Sequence, residues 1–171
     1  ATGTADSTTF LRGDNAWSTV SGVLKKMHVF SMSTRTTGNA SAGTNQFTIT
    51  SSFIPLDPVN NDLWITCVIP SISEGQNFAG LGLRFSKSGG SDYDNFGKGL
   101  NQVGHGLNGY QNGLTIAFNM AAGTIPAGTY SVYLRAETAA SQEDIYNPNS
   151  TDDARISTQS STHLSIMEWK N

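Results

Sequence analysis

Cysteine is almost absent from this sequence, and the single Cys67 among 171 residues excludes a disulfide within the chain. It lies in the apolar run 63–69, where a small buried hydrophobe is the expected role. Charge is scarce too: Asp, Glu, Lys and Arg make up 13% of the residues, and the net charge is −3. The basic residues are scattered from Arg12 to Lys170 without forming a block. Such a balance lays down no electrostatic footprint, so neither nucleic acid nor an anionic membrane is an expected partner. No apolar run approaches the ~20 residues of a membrane span, and residues 1–14 lack the basic flank and apolar segment of a signal peptide. A soluble chain without membrane insertion is therefore expected. Because it begins at Ala1 rather than Met, it is also expected to be cut or processed from something longer.

What is present reads as β-structure. Hydrophobic residues at 37%, with abundant Ser, Thr, Asn and Gly, suit one globular domain of many strands and turns rather than a disordered polymer. From Val23 onward apolar residues recur with a period of two, and no stretch repeats them at helical spacing. The clearest case is 113–120, where Leu114, Ile116, Phe118 and Met120 share one face and Thr115, Ala117 and Asn119 the other. Residues 129–138 repeat the pattern, with Tyr130, Val132, Leu134 and Ala136 inward. Between them Gly123, Pro126 and Gly128 mark a turn. Further strands are expected at 24–35, 46–54, 63–69, 79–86, 154–158 and 163–169. The run 63–69 is nearly all apolar, as a strand covered on both faces would be. Strands without intervening helices argue for an all-β antiparallel β-sandwich, jelly-roll-like, spanning 23–171. Ahead of it residues 1–22 are polar and too short to enclose a core.

That first segment carries a motif. Phe10-Leu11-Arg12-Gly13-Asp14-Asn15-Ala16-Trp17, preceded by small and hydroxyl residues, resembles the short pattern that recurs in bacteriophage tail fibres just ahead of a domain. Asn15 stands where Gly is more usual. At the far end Ser161-Thr162-His163-Leu164-Ser165-Ile166-Met167-Glu168-Trp169 is similar to the closing strand of the globular heads that end such fibres. The sandwich of those heads resembles the C1q and tumour necrosis factor trimers. Tyr133-Leu134-Arg135-Ala136 fits less specifically, and the middle of the chain is diffuse. The resemblance implies a homotrimeric head that attaches a virion to its bacterial host through a surface glycan or an outer-membrane protein, joined to the rest of the tail fibre. It also gives Arg12-Gly13-Asp14 a scaffold role rather than that of an integrin tripeptide.

An independent argument leads the same way. Phe10, Leu11 and Trp17 are large apolar side chains in a segment that cannot bury them alone, so they call for partner surface. Three copies meeting on an axis supply it, with Arg12 and Asp14 at the rim of the collar.

The receptor residues are sought in loops. Residues 88–113 interleave Gly with rings and amides, and a long irregular stretch of this kind is uncommon unless functional. Sugar recognition needs aromatic faces and short polar side chains, which Tyr93, Asp94, Asn95, Phe96, Asn108, Tyr110, Gln111 and Asn112 provide. Tyr146 and Asn147, with Asn149, form a second candidate cluster on the segment 139–153, expected to be exposed. The competing role for each ring is to pin its loop onto the sandwich.

No catalytic centre is expected. Asp92 and Asp94, Glu143 and Asp144, and Asp152 and Asp153 fall in turn-rich segments, and no nucleophile motif accompanies them. His28, His105 and His163 lack metal-ligand spacing, so no metal site is assigned. One variant places His28 near a threefold axis, where three imidazoles share an ion. Asp92-Tyr93-Asp94-Asn95 offers oxygens at alternate positions, as a structural Ca²⁺ would use, without the remaining spacing of a Ca²⁺ loop. The alternatives are a C1q-like or lectin-like carbohydrate-binding module of cellular origin, which would lack the N-terminal motif, a structural joint in a fibre, and a tail-spike depolymerase, which would need repeats not seen here.

Overall fold

A computed structural model describes residues 9–11, 17–19, 22–39, 43–73, 79–94, 101–103, 110–136, 143–152, 156 and 158–170. Among them the chain forms strands and turns and no helix. The strands are β1 (Thr9–Leu11), β2 (Trp17–Thr19), β3 (Val23–Met32), β4 (Thr36–Asn39), β5 (Asn45–Phe53), β6 (Asn61–Ser73) and β7 (Ala79–Lys87). They continue as β8 (Asp92–Asp94), β9 (Asn101–Val103), β10 (Tyr110–Met120), β11 (Tyr130–Ala136), β12 (Glu143–Tyr146) and β13 (Thr162–Lys170).

The fold is all-β, with two antiparallel sheets packed as a sandwich. The first sheet has the order β3-β13-β6-β12-β4, and β10 lies along the other edge of β6. The second runs β5-β11-β7-β8, with β9 also on β7. The 13-residue β6 organises the first sheet: it pairs with β10 over its length from Leu63 to Ser73, and its opposite edge takes β13 and then β12. The strands β1 and β2 pair only with each other, Leu11 opposite Trp17, and join neither sheet.

Period-two alternation explains why these segments pair as they do. In β11 Tyr130, Val132, Leu134 and Ala136 are buried and the residues between them are half-buried. In β10 Ile116 and Met120 are buried, Phe118 packs against the core, and Thr115, Ala117 and Asn119 are exposed. Inward residues of both sheets meet in one core, Ile65, Cys67, Ile69, Leu164 and Ile166 from the first and Phe53, Leu83, Phe85 and Leu134 from the second. Phe53 sits edge-on to Phe85 at 5.9 Å between ring centres. Gly123, at φ 79, takes the left-handed turn conformation that L side chains disfavour and donates its N–H to Pro58 O at 2.8 Å.

Four expectations are corrected. The strand 63–69 is not covered on both faces: Leu63, Ile65, Cys67 and Ile69 are buried, but Trp64 is 54% and Val68 41% exposed. Residues 24–35 are not one strand, since β3 ends at Met32 and β4 starts at Thr36. Residues 88–113 include strand pairings, β8 against Arg84–Ser86 and β9 against Ala79–Leu81. In 154–158 the described residues Ile156 and Thr158 belong to no strand. Just before them Asn149 Oδ1 accepts from Thr151 N at 2.8 Å and Asp152 Oδ2 from Asn149 N at 2.9 Å. Such side-chain bonds take up backbone groups that a ladder would need.

Candidate functional site

The strand register gives the sandwich two ends. Gly22 N donates to Lys170 O at 2.8 Å, and Lys170 pairs with Asn61, so the segment 1–22 reaches the sandwich where β6 starts and β13 finishes. Tyr110 pairs with Ser73 at the opposite end of β6. β10 runs eleven residues from Tyr110 to Met120, a span of roughly 30–35 Å at ~3.3 Å per residue.

The expected receptor residues therefore divide. Tyr110, Gln111 and Asn112 open β10 at the far end, opposite Ser73, Ile72 and Ser71. Tyr93 and Asp94 lie in β8, beside the second half of β7, towards the near end. The half-buried Tyr93 packs against Tyr130 at 6.2 Å between ring centres, as a lid on the core. Asp94 takes a bidentate pair from Arg84, Nε to Oδ1 and Nη2 to Oδ2, both at 2.7 Å. Asp92 stands 3.0 Å from the same guanidinium. Those two carboxylates grip a cation of the chain itself. Asn95, Phe96 and Asn108 lie outside the described residues, as do Arg12 and Asp14 of the expected collar. Phe10, Leu11 and Trp17 occupy the β1–β2 ladder.

Two further expectations are corrected here. Tyr146 and Asn147 do not stand on an exposed segment: Tyr146 is 1% and Asn147 0% exposed. The Tyr146 ring tilts against Phe47 at 5.4 Å. Asn147 Oδ1 accepts from Thr162 Oγ1 at 2.8 Å, and its Nδ2 donates to Thr34 O at 3.1 Å. Polar composition does not reveal this burial, because the Asn147 side chain finds its partners in β13 and in the link between β3 and β4. His28, expected as a ligand to an ion shared between copies, likewise faces inward, with its side chain 8% exposed. Its ring meets Phe53 edge-on at 5.0 Å.

The chain's most distinctive surface was not expected. On the outer face of the first sheet, Met27, Met167, Trp64 and Asn119 form one rung across β3, β13, β6 and β10. Val29, Ser165, Thr66 and Ala117 form the next. Ser31, His163, Val68 and Thr115 form a third. None of these positions is Asp, Glu, Lys or Arg. Met27, Val29, Trp64 and Val68 are each exposed, and a hollow of about 400 Å³ opens beside Trp64, Ala117 and Met167. The outer side of the second sheet is the opposite in kind, carrying Arg84, Asp92, Asp94 and Arg135 in ion pairs. Large apolar side chains at both parities of 63–69 were the signal for this surface, and it was misread as two-sided cover.

At the near end a buried carboxylate organises the β5–β6 loop. Inward-facing on β13, Glu168 is fully buried and accepts from Leu56 N at 2.6 Å, Asp57 N at 3.2 Å and, weakly, Asn61 Nδ2 at 3.4 Å. His28 Nε2 lies 2.7 Å from Oε1. Burial pushes the Glu168 pKa upward, but the Leu56 N–H, His28, the Asp57 N–H and Asn61 together outweigh it and hold the carboxyl below its ordinary value. Beside the loop, Lys25 and Lys170 face Leu56, Asp57, Asn60 and Asn61 across an open hollow of about 620 Å³. Among the described residues no group of three His, Cys, Asp or Glu side chains is arranged to hold a metal.

No protein-family model matches the chain, and no curated protein matches it. Among solved structures it is similar to viral particle proteins of infectious bursal disease virus. The Gt strain structure is 9% identical with a TM-score of 0.49, covering 91% of this chain and 40% of that one. The Gx strain is 11% identical with a TM-score of 0.42, over 86% and 37% of the two chains. The VP2 subviral particle is 11% identical with a TM-score of 0.40, over 91% and 43%. This chain spans less than half the length of those proteins. Likeness of this order transfers no function.

Proposed function

We propose that this chain is the receptor-binding head of a bacteriophage tail fibre, a homotrimer on the virion that attaches it to a bacterial surface glycan or outer-membrane protein and has no catalytic centre. The observation that carries this reading is the three charge-free, partly apolar rungs through Trp64, Thr66 and Val68 on the outer face of the first sheet. Interface centres are depleted of charge, whereas a lone domain in water gains nothing from exposing Trp64, Val68, Met27 and Val29 together. The Phe10-Leu11-Arg12-Gly13-Asp14 motif with Trp17 supports a fibre origin. The two-ended layout supports a tip: chain enters beside Lys170, and Tyr110, Gln111 and Asn112 stand at the other end. Weak individual sites would gain apparent affinity from three copies acting together.

The test couples mass to attachment. Light scattering on the purified chain is expected to report a trimer at micromolar concentration. Immobilised bacterial polysaccharides and outer-membrane vesicles are expected to retain it, with polysaccharide chains left at full length. A monomer at that concentration, or shortened polysaccharide, would overturn the reading.

A further inference from the structure

The β5–β6 loop is held rigid and yet displays apolar side chains to water. Its backbone is pinned from both sides: Glu168 takes the N–H groups of Leu56 and Asp57, and Asp57 O accepts from Asn60 N at 3.2 Å and Asn61 N at 2.9 Å. Asn60 Nδ2 donates to both Asp57 carboxylate oxygens at 3.1 and 3.0 Å, and Pro58 O accepts from Gly123 N. Pro55 and Pro58, both buried, add fixed backbone angles. On this frame Ile54, Leu56 and Val59 point outward, each more than half exposed. A loop meant only for solvent has no need of three large apolar side chains, and a preorganised projection loses little further entropy when it docks.

All the large hydrophobics exposed among the described residues belong to this loop, to β3 or to β6. Eight such side chains expose on the order of several hundred Å², the size at which an apolar patch is often functional. They divide by shape. The loop projects, while the sheet face is hollowed beside Trp64, Ala117 and Met167. Two copies meeting face to face would fill the faces and leave both loops bare. A projection on one surface and a hollow on another instead suit a head-to-tail contact, in which each copy gives its loop to one neighbour and its face to the other, and which closes into a trimeric ring when a threefold rotation relates neighbours.

We propose that copies of this chain associate in that way, the Ile54, Leu56 and Val59 projection of one copy seating on the Trp64 and Met167 face of the next. Glu168 acts as the positioning residue that presents the projection. This deepens the trimer reading above and rests on it.

The experiment uses the full chain and two variants at exposed positions, Leu56→Asp and Trp64→Glu, with circular dichroism as the check on folding. Sedimentation is expected to show each variant alone dissociated, with association weakened by ~30-fold or more, the scale of an interface hot spot. Mixing the two is expected to restore one-to-one pairs, because the intact loop of the Trp64 variant meets the intact face of the Leu56 variant. Val59→Asp or Val68→Lys replaces either variant that fails to fold. A monomeric wild-type chain removes this proposal together with the trimer. A wild-type trimer whose variants stay trimeric removes this contact alone and leaves assembly to the collar. Dissociated variants that form no pairs on mixing overturn the head-to-tail arrangement.

Discussion

Replacing Glu168 by Gln tests whether one inward carboxylate anchors the near end of the sandwich. In the wild-type chain Oε1 faces Leu56 N and His28 Nε2, while Oε2 faces Asp57 N and Asn61 Nδ2. All of these neighbours can donate. A glutamine keeps the shape but offers one acceptor oxygen, so its amide NH₂ must confront one of the two donor sets. Bonds to a charged acceptor contribute ~1.5–3 kcal/mol each, and one of the two donor pairs loses its acceptor outright. We expect a loss of ~3–5 kcal/mol at pH 7, set against the ~5–15 kcal/mol that stabilises a domain. For a chain of this length that corresponds to a melting temperature lowered by roughly 10 °C. Urea unfolding of wild type and Glu168→Gln at equal protein concentration measures it, since association adds its own stability. The pH dependence gives a second reading. Because the folded-state pKa lies below the ordinary 4.5, the carboxylate's contribution is complete above that value and is lost as pH falls through the depressed one. The gap between the two proteins should therefore narrow under acid. A gap below ~1 kcal/mol at pH 7, or one that does not change as the pH falls beneath 4, would refute the role assigned to Glu168.

Three other predictions follow from buried or terminal positions. The Cys67 thiol, fully buried and with its pKa pushed up to about 12 by burial, should resist maleimide at neutral pH until the sandwich unfolds; labelling at the rate of an exposed thiol would contradict its place in the core. Asn147→Ala should cost ~2–4 kcal/mol, because it strands Thr162 Oγ1 and Thr34 O and leaves a Cβ residue at φ 52. Asn147→Gly should fall short of that by ~1 kcal/mol, and equal losses in urea unfolding would show that backbone strain plays no part. Tyr110→Ala should leave the assembled mass unchanged and reduce retention on host outer-membrane vesicles, whereas full retention would move the receptor site away from the start of β10.

Periodicity in the sequence was enough to determine that the chain is all-β and which side of its best strands faces inward. The alternation through Leu134 and Ile116 is a local property, since successive side chains of a strand point to opposite faces wherever the strand is placed. It could not tell what lies over each face, because cover comes from segments far along the chain. Leu63 and Trp64 are adjacent and both apolar, yet the second sheet packs over one and leaves the other in water. Tyr146 and Asn147 read as a polar loop until Phe47, Thr34 and Thr162 come round to enclose them. Tyr93 and Tyr110 read as one cluster until β7 and β6 carry them towards opposite ends. Glu168 has the parity of a core residue and the chemistry of a surface one, and only the loop from β5 to β6, brought against it by the fold, gives that carboxylate its donors.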